Sequence, residues 1–69
     1  MREDAVSFVY YVRTPDKCGD LVFVLDDMIS PAIIKPVAGM LVLFPSYLNH
    51  KVTKNLSGSV RISISGNLL

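Results

Sequence analysis

Four side chains in this chain have the types and spacing to do chemistry: His50, Arg61, Ser63 and one of the adjacent pair Tyr10 and Tyr11. His50 is the only histidine and ends the stretch FPSYLNH, Phe44 to His50. A neutral imidazole is the commonest metal ligand, yet a histidine at a strand end is more often a solvated side chain. One imidazole does not make a site, because a catalytic metal takes about three protein ligands and an open position. Arg61 and Ser63 sit two apart in SVRISIS, on the same side of an alternating strand. Either they face solvent, or the guanidinium receives a carboxylate through two parallel hydrogen bonds while the serine hydroxyl adds a third. Spacing leaves both open. Tyr10 and Tyr11, being neighbours, point to opposite faces; one ring belongs to a core and the other can present its hydroxyl to a pocket. Cys18, in a turn beside Asp16 and Lys17, reads as an incidental thiol. Glu3, Asp4, Asp26 and Asp27 read as solvated strand ends rather than a catalytic pair.

The elements that must position these groups are strands. Val6 to Arg13 (VSFVYYVR) is β-branched and aromatic, which suits a pleated surface. TPDKCGD then has the proline, aspartate and glycine of a hairpin loop. Leu21 to Leu25 and Met40 to Phe44 are continuous apolar runs, expected where both faces are covered. Pro31 keeps its neighbourhood out of a central ladder, so Ile33 to Lys35 is a short edge strand ended by PVAG. His50 to Thr53 begins another short strand, KNLSG is a turn, and Ser59 to Ser65 alternates. No stretch carries helical periodicity. Many short strands between Gly/Pro turns mean a sandwich, jelly roll or barrel.

At 69 residues the chain is one small domain, residues 1–69. A domain of this size buries only about 60% of its unfolded surface. Its lone cysteine rules out an internal disulfide. Because 51% of the residues are apolar, a second copy is the expected cover for surface that so short a chain cannot bury, giving a homodimer. A net charge of +1 without a Lys/Arg cluster argues against nucleic acid. No run approaches the roughly 18 apolar residues that span a bilayer, and MREDAV opens no signal peptide. The expected location is the cytoplasm.

Read in order, FVYYV, CGDLVF, GMLVLFPSYLNHKVTKN and SVRISIS resemble the C-terminal part of 2-oxoglutarate/Fe(II)-dependent oxygenases. The likeness is to small bacterial and phage-type members related to the prolyl hydroxylases. It runs from Ser7 to Leu69, and its most specific part is FPS-x3-H-x10-R-x-S, Phe44 to Ser63. The resemblance implies a double-stranded β-helix, here a partial one completed by dimerisation, with Fe(II) and 2-oxoglutarate as cofactors. It implies that His50 is the distal metal ligand and that Arg61 and Ser63 hold the distant carboxylate of 2-oxoglutarate. It implies that Tyr11, as the second tyrosine of the YY pair, bonds that carboxylate too. The family's His-x-Asp/Glu pair lies upstream of the YY strand, where this chain has only MREDAVSFV and no histidine. Glu3 or Asp4 are the only stand-ins for the carboxylate. The expectation is therefore a truncated dioxygenase domain, inactive as an isolated chain.

Gly39-x5-Pro45-x-Tyr47-x2-His50 also resembles the second cupin motif, which has glycine where Tyr47 stands and asparagine where Lys54 stands. The first cupin motif is missing. This resemblance implies a non-catalytic, homodimeric cupin-like module that binds a small molecule. Arg61, Ser63 and the YY strand favour the oxygenase.

Overall fold

In a computed structural model, which describes residues 5–24 and 31–68, the run VSFVYYVR forms the longest strand, β1 (Val6–Arg13). Five more strands follow: β2 (Leu21–Phe23), β3 (Ala32–Ile34), β4 (Leu41–Pro45), β5 (His50–Val52) and β6 (Ile62–Asn67). Leu25 and the acidic residues Glu3, Asp4, Asp26 and Asp27 lie outside the described residues. Among the described residues there is no helix, and so none long and apolar enough to cross a membrane.

The strands make two antiparallel sheets, ordered β4-β1-β6 and β3-β2-β5. The chain passes repeatedly from one to the other, so the fold is an all-β sandwich, a partial jelly roll. The sheets meet at a core of Leu21, Phe23 and Phe44, with Val9, Val42, Ile34 and Leu48 packed around it. Phe23 from one sheet and Phe44 from the other meet edge to face, 5.1 Å between ring centres at 63°, the geometry that aromatic quadrupoles prefer. All three residues of β2 are buried, as its apolar run requires of a central strand.

Several details differ from the sequence-based expectations: of the Leu21–Leu25 run, β2 takes only Leu21–Phe23, and Val24 beyond it is 45% exposed. TPDKCGD is not a hairpin loop: β4 and β6 already occupy both edges of β1, so β2 has none to join and pairs in the other sheet. The Met40–Phe44 run is not covered on both faces. Val42 and Phe44 turn inward, while Leu41 and Leu43 stand on an outer face that carries Tyr10 and Ile64 beside them. Those outer residues, with Ile62, are 40–56% exposed. Finally, the last strand starts at Ile62, leaving Arg61 just ahead of it.

The connections carry their own chemistry. Gly39, at φ +89°, occupies the left-handed position of a turn closed by Met40 N–H donating to Val37 O at 2.9 Å. Tyr11 N–H then donates to Met40 O at 3.0 Å and Gly39 N–H to Tyr11 O at 2.8 Å, extending the β1–β4 ladder. Leu48 N–H donating to Pro45 O (3.0 Å) makes the turn of FPSYLNH, which carries the chain from β4 across to β5. In the loop before Arg61, Asn55 Oδ1 accepts from Ser57 N–H (2.9 Å) and Asn55 Nδ2 donates to Ser59 O (2.8 Å). This Asx turn satisfies the loop's backbone locally.

Candidate functional site

Antiparallel register decides which side chains meet. Tyr11 of β1 lies directly opposite Ser63 of β6, and Val9 opposite Ser65, so all four share the inner face. Immediately afterwards the register shifts between Tyr11 and Arg13. Such a bulge bends the strand and re-aims its side chains. Tyr11 is 3% exposed, whereas Tyr10 lies on the outer face. Of the tyrosine pair, the second is the inward one.

Between the sheets lies a cavity of about 140 Å³. It is lined by Tyr11, His50, Arg61, Ser63 and Ser65, with Leu21, Phe44 and Val52 among the apolar walls. All four residues singled out in the sequence therefore border one space. Ser65 joins them, and the strict alternation of SVRISIS was signal enough to find it. The volume is below the roughly 300–1,000 Å³ of sites for drug-sized ligands, which suits a small acid or one end of it. A larger, more open cleft of about 480 Å³ is lined by Lys17, Lys35, Lys54 and neighbours. It contains none of the four residues.

Arg61 is half-buried and donates from Nη1 to Cys18 O at 2.8 Å. A guanidinium carries five N–H donors, so one bond leaves most of them free. No carboxylate among the described residues pairs with it. The cavity thus holds a cation with no carboxylate partner among the described residues, beside hydroxyl groups, a donor set that fits a carboxylate.

Burial pushes the Tyr11 phenol up from 10.0, the Arg61 charge partly opposes that, and Cys18 adds a small rise. At neutral pH the phenol is protonated and can donate. The folded chain keeps this proton where the unfolded chain has already lost it, so the stabilisation is complete below about pH 10 and falls as pH rises beyond it. Thermal melts taken across that range are expected to decline more steeply for the parent protein than for Tyr11→Phe.

His50 opens β5 opposite Phe23, and its ring leans on Phe44 at 4.9 Å and on Phe23 at 6.2 Å between centres. Its Nδ1 lies 3.0 Å from Leu48 O. A carbonyl only accepts, so Nδ1 carries the proton, and the neutral ring keeps its lone pair on Nε2. Metal-binding histidines are commonly oriented by this kind of backbone bond. Among the described residues, however, no three His, Cys, Asp or Glu side chains gather as a metal would require. The donor set among the described residues fits a carboxylate and does not by itself fit iron. Glu3 and Asp4, the sequence's stand-ins for a carboxylate ligand, lie outside the described residues.

A family model described as "Putative 2OG-Fe(II) oxygenase" matches residues 26–67, which include His50, Arg61 and Ser63 but not Tyr11. No curated protein matches the chain, and no solved structure does. The family match covers more than half of the sequence and includes three of the four residues that the sequence singled out and the cavity brings together. The chain belongs to the 2OG-Fe(II) oxygenase family.

Proposed function

We propose that this chain is the cosubstrate-binding part of a 2OG-Fe(II) dioxygenase domain, able to bind 2-oxoglutarate but unable to turn it over alone. The observation that carries this reading is the half-buried Arg61 guanidinium, without a carboxylate partner among the described residues, in a cavity it shares with Tyr11 and Ser63. Arg61 receives the carboxylate distant from the keto acid through parallel N–H donors. The Ser63 hydroxyl and the protonated Tyr11 phenol donate to the same group. Buried Leu21 and Phe44 form the apolar floor beneath those donors.

His50 supplies one metal ligand in this reading. Fe(II), bound with 2-oxoglutarate, supplies dioxygen activation in such enzymes. Two further ligands must come from outside the described residues before a facial site of two histidines and a carboxylate exists. The 69-residue chain, incubated anaerobically with Fe(II) and 2-oxoglutarate and then exposed to oxygen, is expected to bind the acid but release no succinate. Succinate release that His50→Ala abolishes would refute the inactivity.

A second reading rests on the outer face of the β4-β1-β6 sheet, where Tyr10, Leu41, Leu43, Ile62 and Ile64 are exposed together. Contiguous apolar surface of this kind is normally covered. In this reading a second copy of the chain covers it, forming a homodimeric cupin-like module with a binding role only. Sedimentation at micromolar concentration is expected to give twice the 7.6 kDa chain mass. A stable monomer would exclude the homodimer.

A further inference from the structure

The backbone at Cys18–Gly19 lines the larger cleft, and Arg61, which lines the small cavity, is hydrogen-bonded to it. Cys18 O accepts the Arg61 Nη1 proton at 2.8 Å. Gly19 has φ +103°, a left-handed conformation that side chains strain to adopt. Any Cβ placed there would collide with the Thr53 carbonyl oxygen and sit 3.0 Å from Arg61 Nη1. Glycine is needed here twice over: once for the turn of the backbone, once for the space that the Thr53 carbonyl and, beside it, the guanidinium fill.

The segment does not depend on Arg61 for its own position. Cys18 N–H donates to Pro15 O (3.1 Å), and Leu56 N–H donates to Lys17 O (2.8 Å). Thr53 N–H donates to Asp20 O at 2.9 Å, while Asp20 N–H donates to the Thr53 hydroxyl at 2.7 Å. Backbone bonds on either side thus fix the carbonyl first, and the arginine docks on it.

We propose that the Cys18 carbonyl, set in place by Gly19, is the positioning device of the carboxylate-binding arginine. One N–H is committed to the protein, which fixes the plane of the guanidinium and leaves its other donors for the ligand. The inference rests on the reading of Arg61 as the cosubstrate arginine. Its benefit is preorganisation: a long side chain already ordered loses less freedom when the ligand arrives. Gly19 is a positioning residue and touches no ligand.

Nitrogen-resolved NMR of the arginine guanidinium groups tests this in the ligand-free protein. The Nη1 and Nη2 signals of Arg61 are expected to be resolved, because the bond to Cys18 slows rotation, with a scalar coupling from Nη1 to the Cys18 carbonyl carbon. In Gly19→Ala the signals should merge and 2-oxoglutarate should bind about five- to tenfold more weakly. Averaged Nη signals in the parent protein would overturn the proposal, and that measurement holds even if Gly19→Ala does not fold. So would unchanged affinity in a folded Gly19→Ala. If Arg61→Ala leaves 2-oxoglutarate affinity intact, the cosubstrate reading is what fails, and the positioning role for that ligand falls with it.

Discussion

Replacing Arg61 by alanine should weaken 2-oxoglutarate binding by about 10- to 150-fold, the equivalent of about 1.5–3 kcal/mol for hydrogen bonds to a charged group. The size follows from what the cavity contains. Among the described residues Arg61 is the only cation lining it, so the substitution leaves a carboxylate facing the neutral donors Ser63, Ser65 and Tyr11. Arg61→Lys is the sharper variant. It keeps the charge but cannot bond Cys18 O and grip a carboxylate through two parallel donors together. Its affinity should fall about tenfold. Losses from Ser63→Ala and Tyr11→Phe should be smaller, about two- to tenfold each, because each removes one neutral hydrogen bond. Isothermal titration of each variant gives the ranking. Arg61→Lys binding as tightly as the parent would mean that charge alone matters and that the planar fork is irrelevant.

Phe44→Ala should destabilise the fold by about 3–5 kcal/mol, the usual cost of emptying an aromatic site in a core. In a domain this small the entire stability is rarely more than about 3–5 kcal/mol. The variant should therefore be largely unfolded at room temperature by circular dichroism. Phe44 carries this weight because it links three parts: its ring meets Phe23 across the sandwich at 5.1 Å, His50 at 4.9 Å, and the cavity wall. Among the described residues the buried core cluster has only Leu21, Phe23 and Phe44, with partly buried side chains around it. Phe44→Leu, which keeps most of the volume, should cost less than about 1.5 kcal/mol. Val37→Ala, at 58% exposure, should stay within about 0.5 kcal/mol. Urea unfolding of the three variants checks the order. Similar losses for Phe44→Ala and Val37→Ala would show that the Phe23–Phe44 contact does not hold the sheets together.

Strands were the most legible part of the sequence. VSFVYYVR is β1 residue for residue, and the Gly/Pro turns fall between strands as their chemistry requires. Pairing was less legible. TPDKCGD has hairpin residues, but whether its flanking strands join depends on which edges of β1 are already taken, and local sequence does not encode that. Alternation in SVRISIS gave the right partition of side chains but not the direction. Convention turns the apolar residues inward, yet here Arg61, Ser63 and Ser65 border the cavity while Ile62 and Ile64 stand outside. A polar inward face is what a ligand pocket between sheets demands, so this departure from the ordinary pattern is itself informative.

The candidate site was legible where side chains carry it. Tyr11, His50, Arg61 and Ser63 all border the one cavity, though they come from β1, β5, β6 and the loop before β6. The residue type of Cys18 points to its thiol, which is buried and, among the described residues, bonded only to the next carbonyl at 3.7 Å. What matters is its backbone oxygen, and residue type says nothing about that. Gly19 offered the only hint, as a glycine beside the turn.

The most direct measurement is a titration of the ligand-free protein followed at the Arg61 Nε–H resonance, comparing 2-oxoglutarate with 2-oxobutyrate, which lacks the distal carboxylate. Saturable binding of 2-oxoglutarate that shifts this resonance, with no comparable response to 2-oxobutyrate, is the expected result. An equal response to both acids, or a resonance that neither moves, would contradict Arg61 as the carboxylate receptor of this cavity.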